Sequence, residues 1–540
     1  MHSTLLLPVW AFVSYIIYLI ASSVLTSRHH RRRAHELHCA DPPRVRTADP
    51  IGIINIRAML KADKESRMPQ YLCERYEASC EREGKRLGTF CQNILGSWSV
   101  FTTEPENIKA ILASQFKEFG LGDTRNNNFA PLLGHGIFST DGKGWEHSRT
   151  LLRPQFAREQ VSDLDLEERH VQNLLRNLPV QSDGWTEVTD LKTLFFRLTI
   201  DSASEFLFGE SLDSQISHFP DYKTNRMPMK VSEKEFGIAF DGAQGGIAKA
   251  ARFGDMYWMA HDKQLKKHCE TCHTFIDHYV QLALSKDKAS LRSDPKNGQY
   301  VFLDAVAETT RDPVELRQHL LSIMVAGRDT TASLLSIMFL LLTKNPHIYA
   351  QLRSVVLETF GTFDNPKNIT FSSLKNCTYL QWCMNETLRL YPQVPINSRR
   401  ALVDTTLPTG GGPSGTSPIY IRKGQQCDYS VFVMQRRKDL WGPDADEWKP
   451  ERWDGRKSGW EFLPFNGGPR ICIGQQFALT EAGYVAVRLM QKFGEIQAAP
   501  GDDSWGVDKN GAIDGKLKVW VTLTGSPADG VRVRMKGATE

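Results

Sequence analysis

An uncharged apolar run opens the chain, LLLPVWAFVSYIIYLIASSVL from Leu5 to Leu25. As a helix it measures about 31 Å and matches a bilayer core of about 30 Å, so it is expected to span a membrane once. A second run, Leu320–Leu342, is nearly as apolar but holds Arg328 and Asp329 at its middle. Each such charge costs about 2.5–3.5 kcal/mol at a bilayer centre, which predicts a core helix of a soluble body instead. Its limits are readable: Asp312 as cap, Pro313 in the first turn, Glu315 where a capping-box acid belongs, and Asn345-Pro346 as the stop. The predicted helix, 313–344, is about 48 Å long.

Other stretches are shorter. Residues 85–103 (KRLGTFCQNILGSWSVFTT) place β-branched and aromatic residues around a glycine turn and predict a hairpin. Leu265, Cys272, Ile276 and Tyr279 recur near helical spacing, and 477–491 (FALTEAGYVAVRLMQ) is an apolar helix. TTLPTGGGPSGTSP at 405–418 reads as a glycine-rich loop before the strand-like PIYIRKGQ, and 498–515 reads as polar and irregular. The sum is a mainly α body with small β-sheets.

Charge adds one fact. Lysine plus arginine total 66 against 62 acids, a net of +4, and Arg28, Arg31, Arg32 and Arg33 equal that excess. The remainder is near neutral and carries no nucleic-acid footprint. Placed directly after the apolar run, these arginines predict that the body stays on the cytosolic side. A cleaved secretory signal would carry its charge before the run and have a shorter core. Ten cysteines scattered over 540 residues fit a reducing compartment, and the sequon at Asn385 falls in a helix needed for the core. Pro42 and Pro43 make a stiff break before the body.

The chemistry concentrates at PFNGGPRICIGQQ, 464–476. Cys472 stands among glycines that permit positive φ and close backbone approach, at the mouth of a helix whose N-terminus favours a thiolate. That is a way to hold a soft metal ligand. An inert buried cysteine explains Cys472 but not its surroundings. CETCH at 269–273 has the spacing of covalently attached haem, yet it sits in the periodic stretch above, so Cys272 is expected to point into a helical core with Cys269 as filler. Zinc there lacks a fourth ligand. In the long helix, Ala326 and Thr330 lie four apart on one face of AGRDTT. ETLR at 386–389 and WEHSR at 145–149 pair Glu386 with Arg389 and Trp145 with Arg149, each of which is ordinary when taken alone.

Taken together, FxxGxRxCxG (Phe465, Gly468, Arg470, Cys472, Gly474), AGRDTT, ETLR, PERW and WEHSR resemble, in order and over the whole chain, the cytochrome P450 haem-thiolate monooxygenases. The resemblance implies the P450 fold, preceded here by a transmembrane anchor (1–27) and a basic, proline-rich linker (28–50), with the catalytic domain at 51–540. It implies haem b ligated by Cys472 and cradled by Phe465, Gly468, Gly474 and Ala326, with Trp145, Arg149 and Arg470 at the propionates. Asp329 and Thr330 become the proton-delivering acid and alcohol, and Glu386, Arg389 and Arg452 a structural triad. Animal fatty-acid ω-hydroxylases carry a glutamate where this chain has Ala326, so haem is expected to be non-covalent.

The stretches 431–453 and 462–491 resemble the fungal microsomal family that hydroxylates n-alkanes and fatty acids at the terminal carbon. Hence the expected setting is the endoplasmic reticulum membrane, with a lipophilic substrate met by 129–138, 236–260 and 394–397. Electrons would come from NADPH through a separate NADPH–cytochrome P450 reductase, docking through residues such as Arg436, Arg437 and Lys438. The alternatives are the same machinery acting on a secondary metabolite or sterol, and a membrane-anchored haem carrier or sensor.

Overall fold

The computed structural model describes residues 2–45, 49, 51–157, 164–224, 229–286, 300–499 and 517–538. Most of the 498–515 stretch therefore lies outside the described residues. Nine helices bear on the site and the membrane: α1 (His2–Glu36), α2 (Asp123–Leu133), α3 (Gly142–Leu152), α4 (Leu191–Phe208), α5 (Glu233–Ala251), α6 (Lys263–Ser285), α7 (Pro313–Lys344), α8 (Thr378–Leu390) and α9 (Gln475–Lys492).

The first helix does not stop where its apolar run stops. It passes the expected boundary at 27 and continues to Glu36, because Arg32 and Arg33 reach that carboxylate at 2.9 and 2.8 Å from one turn away. From Trp10 to Glu36 it is 0% buried, whereas the second membrane-length candidate, α7, is 83% buried. Arg328 and Asp329 thus separated core helix from membrane span correctly. Near its end α1 touches the body, where His30 Nδ1 lies 3.2 Å from the Tyr420 hydroxyl.

The hairpin expected at 85–103 forms as β1 (Thr89–Ile94) and β2 (Ser97–Thr102), turning at Leu95-Gly96 with φ of 50° and 81°. Positive φ at both positions is the tight turn that suits the strands' twist. These strands join β3 (Phe119–Gly120), β4 (Asn397–Ala401) and β7 (Gln426–Tyr429) in a sheet ordered β1-β2-β7-β4-β3. The glycine-rich 405–418 segment is not a loop: it is the antiparallel pair β5 (Thr405–Gly411) and β6 (Ser417–Ile421). Its glycines admit the chain arriving from α1, since a Cβ on Gly411 would lie 2.5 Å from Ala40 O. Ala40 N donates to Pro418 O at 2.9 Å across that crossing.

Helix α7 runs through the middle, packed by α4, α6, α8 and α9. Its C-terminal half joins one core with Phe195, Leu380 and Val485, and its N-terminal half another with Phe240, Phe275 and Ile276. Asp312 caps it as expected, accepting from Val314 N and Glu315 N. Glu315 does not close a capping box. Its carboxylate is drawn instead to His147 and to the Thr310 hydroxyl, both at 2.6 Å.

Candidate haem-thiolate site

The loop before α9 is built around its cysteine. Cys472 N donates to Phe465 O at 3.0 Å and Ile471 N to Gly468 O at 3.0 Å, closing the segment on itself. Gly468 has φ of 67°, and a Cβ there would meet Leu112 O at 1.9 Å, so no other residue fits. Asn466, also at positive φ, accepts from the Tyr429 hydroxyl at 3.2 Å. Gly474 then stands at the N-terminus of α9. Cys472 is exposed, yet protein crowds it enough that burial pushes its thiol up, against the opposing pull of Gly474 N–H and Arg149. The helix N-terminus expected to favour a thiolate is therefore outweighed in the protein alone; a bound metal ionises a coordinating thiol outright.

Beside this loop lies an excess of positive charge. Arg470 donates to Thr140 O at 2.9 Å and to Asp141 at 2.7 Å, with its guanidinium 4.5 Å above the Trp145 ring. Arg149, 5.8 Å from the same ring, donates to Ile471 O at 3.0 Å. Sequence reasoning missed two more members, Arg125 and Arg399, because each stands in a stretch with no pattern around it. Both donate to Asn397 Oδ1, at 2.7 and 3.3 Å. Burial, then Arg399, pushes the Arg125 guanidinium down to about 10, and burial with Arg399 pushes Arg470 down to about 9. Among the described residues the one ion pair of this group is Arg470 with Asp141, and Arg125 Nε is buried without a hydrogen-bond partner. Four guanidiniums, one carboxylate and an orphaned donor suit a group with two carboxylates, and a cysteine beside them suits a soft metal. A haem fits this set.

In its middle, α7 opens a window. From His319 to Leu342 every residue is buried except Ala326, Gly327 and Thr330. Thr330 Oγ1 donates to Ala326 O at 2.7 Å, the ordinary bond of a helical hydroxyl. Asp329 faces elsewhere: it lies 3.4 Å from Arg328, which reaches Asp241 of α5 at 2.5 Å. Burial pushes the Asp329 carboxyl up, with Arg328 opposing. No hydrogen bond joins Asp329 to Thr330 among the described residues.

Beneath the site, Glu386 and Arg389 are fully buried. Arg389 spends all five donors: Nε and Nη2 on the two Glu386 oxygens at 2.8 Å, the rest on Gln435 O, Ala445 O and Glu447 O. Arg452 Nε adds a contact to Glu386 at 3.2 Å. The structure thus assembles the three residues of the expected triad.

Other expectations change. Cys269 and Cys272 are both buried in α6, and burial pushes the first thiol up to about 12 and the second further, which leaves CETCH as core. Arg436 and Arg437 are also buried, the first against Tyr391 and Phe432, the second on Glu104, Asp439 and Thr103 O. Neither can meet a docking reductase; Lys438 alone of the three is exposed. Within 236–260, Phe236 stacks on Phe240 and on Phe275 as core, and Asn397 serves the arginines.

A cysteine-centred loop, a cationic cradle and an open helix turn define a haem-thiolate protein. Residues 78–513 match the family described as Cytochrome P450. The chain is 48% identical over 533 residues to cytochrome P450 monooxygenase g430 of a Fusarium species, covering 97% of this chain and 90% of that one. It is 44% identical over 495 residues to cytochrome P450 52A1 of Candida tropicalis, covering 90% and 89%. A crystal structure of a mutant cytochrome P450 haem domain, 21% identical, superposes with a TM-score of 0.68 over 93% of this chain and 98% of that one. The chain belongs to the cytochrome P450 family and is a cytochrome P450 monooxygenase, whose cofactor is haem held by a cysteine thiolate.

Proposed function

We propose that this monooxygenase hydroxylates the terminal carbon of n-alkanes or fatty acids, anchored by α1 in the endoplasmic reticulum membrane with its body cytosolic. The observation that carries the lipophilic substrate is the apolar surface left exposed on the body: Ile51, Ile53, Ile54 and Trp98 beside the incoming chain, and Trp258 and Met259 after α5. Such residues meet lipid at lower cost than water, and a substrate dissolved in the bilayer reaches the protein without crossing the aqueous phase. The likeness of 431–453 and 462–491 to the fungal ω-hydroxylases narrows the class.

When bound, haem with a thiolate ligand supplies the O–O cleavage that monooxygenation needs. The chain's own residues divide the remaining work. Cys472 supplies the sulfur, while Phe465, Gly468 and Gly474 hold its loop. Arg470 and Arg149, with Arg125 and Arg399, would neutralise the propionates, and the Trp145 ring backs the guanidiniums of Arg470 and Arg149. Ala326 leaves room beside the Thr330 hydroxyl, and its methyl side chain offers no carboxylate for a covalent link to haem. Thr330 holds a proton at the open turn, and Asp329, which rests against Arg328, would have to turn from it to pass one on. Electrons arrive from NADPH through a separate reductase.

One observation favours a second reading, oxidation of a secondary metabolite or sterol: the 48% identity is to a chain outside the 52A group. Substrate-induced spectral titration with dodecane, lauric acid and a sterol separates the two. A response to dodecane or lauric acid supports terminal hydroxylation; a response to the sterol alone defeats it.

A further inference from the structure

Hydroxyls inside a helix ordinarily bond back to the carbonyl one turn earlier. In α7, Thr330 and Ser336 do so, onto Ala326 O and Ala332 O at 2.7 and 2.6 Å. Ser322 and Ser333 do not. Both are fully buried, and neither Oγ has a hydrogen-bond partner, although the backbone bond was open to them. His319 is 2% exposed and neither ring nitrogen is hydrogen-bonded; Nε2 stands 3.5 Å from Glu315 Oε1.

These positions are not scattered. Glu315, His319, Ser322, Ala326, Thr330 and Ser333 step by three or four residues and share one face of an otherwise apolar helix. The outer end reaches solvent through exposed His147 of α3, whose Nε2 lies 2.6 Å from Glu315 Oε1. The inner end is the open turn at Ala326–Thr330. Between them the loop around Gly136 roofs the face so closely that a Cβ there would lie 2.8 Å from Ser322 Oγ. Buried polar side chains without protein partners are where ordered water is found.

We propose that this face of α7 is a proton-entry path from the His147–Glu315 pair, through His319 and Ser322, to the Thr330 turn, with His319 as its relaying base. The reaction needs such a supply: one oxygen atom enters the product, and the other leaves as water formed with two protons, the electrons coming from NADPH. A neutral imidazole relays by accepting a proton on one nitrogen and releasing one from the other. Burial, the larger effect, lowers the His319 pKa and the neighbouring His147 adds to it, against Glu315 which raises it, so the site favours the neutral ring. Glu315 on its own helix and His147 on α3 are the titratable groups that face it. The path is separate from Asp329, which is committed to Arg328.

Two measurements on the full-length holoenzyme test this. Deuterium exchange at the imidazole Cε1 positions, read by mass spectrometry without substrate, should show His319 exchanging within tenfold of the rate of exposed His147; protection beyond a hundredfold overturns the path. With lauric acid and reductase, His319→Phe should lower product formed per NADPH at least threefold, release the balance as peroxide, and raise the solvent isotope effect on turnover. His319→Gln should recover part of the loss. Unchanged coupling and isotope effect in His319→Phe between pH 6 and 8.5 would overturn the proposal, and if that variant fails to fold, the exchange result on the native chain decides.

Discussion

Replacing Arg389 with alanine should cost far more than any surface pair. All five of its N–H groups are matched to acceptors, and both it and Glu386 are inaccessible to solvent. The substitution takes the bidentate partner from the buried Glu386 carboxylate, which keeps Arg452 Nε, Lys449 N and Trp453 Nε1 as donors, and strands three carbonyls. Breaking one side of a buried ion pair costs about 3–5 kcal/mol, and each orphaned carbonyl adds about 1 kcal/mol unless water enters. We expect a loss of at least about 4 kcal/mol. Arg32, which reaches Glu36 through one N–H at 2.9 Å and is 82% exposed, makes an ion pair without the burial; Arg32→Ala should cost under about 0.5 kcal/mol. The damage should spread, because Arg389 holds Gln435 O while the Gln435 side chain accepts from Leu463 N at 2.8 Å, at the entrance to the cysteine loop. Urea unfolding followed by tryptophan fluorescence gives the stability, and the reduced carbon-monoxide spectrum gives the state of the thiolate ligand. Arg389→Ala within about 1 kcal/mol of wild type, with that spectrum intact, would refute the assignment of Arg389 as the centre of the scaffold.

Four further outcomes are expected. Gly468→Ala, facing both a positive φ and a carbonyl at 1.9 Å, should abolish haem incorporation, measured as porphyrin per chain. Cys472→Ser should remove the thiolate-type spectrum of the reduced carbon-monoxide complex while Cys269→Ser leaves it unchanged. Thr330→Ala should keep haem and substrate binding, read by spectral titration, but raise peroxide released per NADPH. Glu481, buried in α9 and accepting from Ser202, is pushed by burial from 4.5 up to about 7. The unfolded chain gives up this proton first, so the contribution is whole below about pH 4.5 and is lost as pH rises through about 7; Glu481→Gln should therefore be more stable than wild type at pH 8, and a variant less stable there would remove the basis for this sign.

What the sequence disclosed follows from how local each signal is. The limits of α7 were readable because a cap, a first-turn proline and an Asn-Pro stop act within their own turn. Gly468, Cys472 and Gly474 were readable because one loop must satisfy several constraints in a few residues. Arg125 and Arg399 were not, since it is folding that brings them onto Asn397 beside Arg470, and an arginine in a stretch without pattern carries no mark of that. Arg436 and Arg437 failed for the opposite reason: a charge run reads as surface, yet here aromatic faces and carbonyls from distant segments take both guanidiniums inside. The glycines of 405–418 looked like a loop because their actual use, letting Ala40 cross a strand, involves a segment some 370 residues away. The same logic bears on α7. Its apolar run broken by Arg328 and Asp329 predicted burial, and burial is what makes the unbonded hydroxyls of Ser322 and Ser333 informative, because on an exposed helix they would simply face solvent.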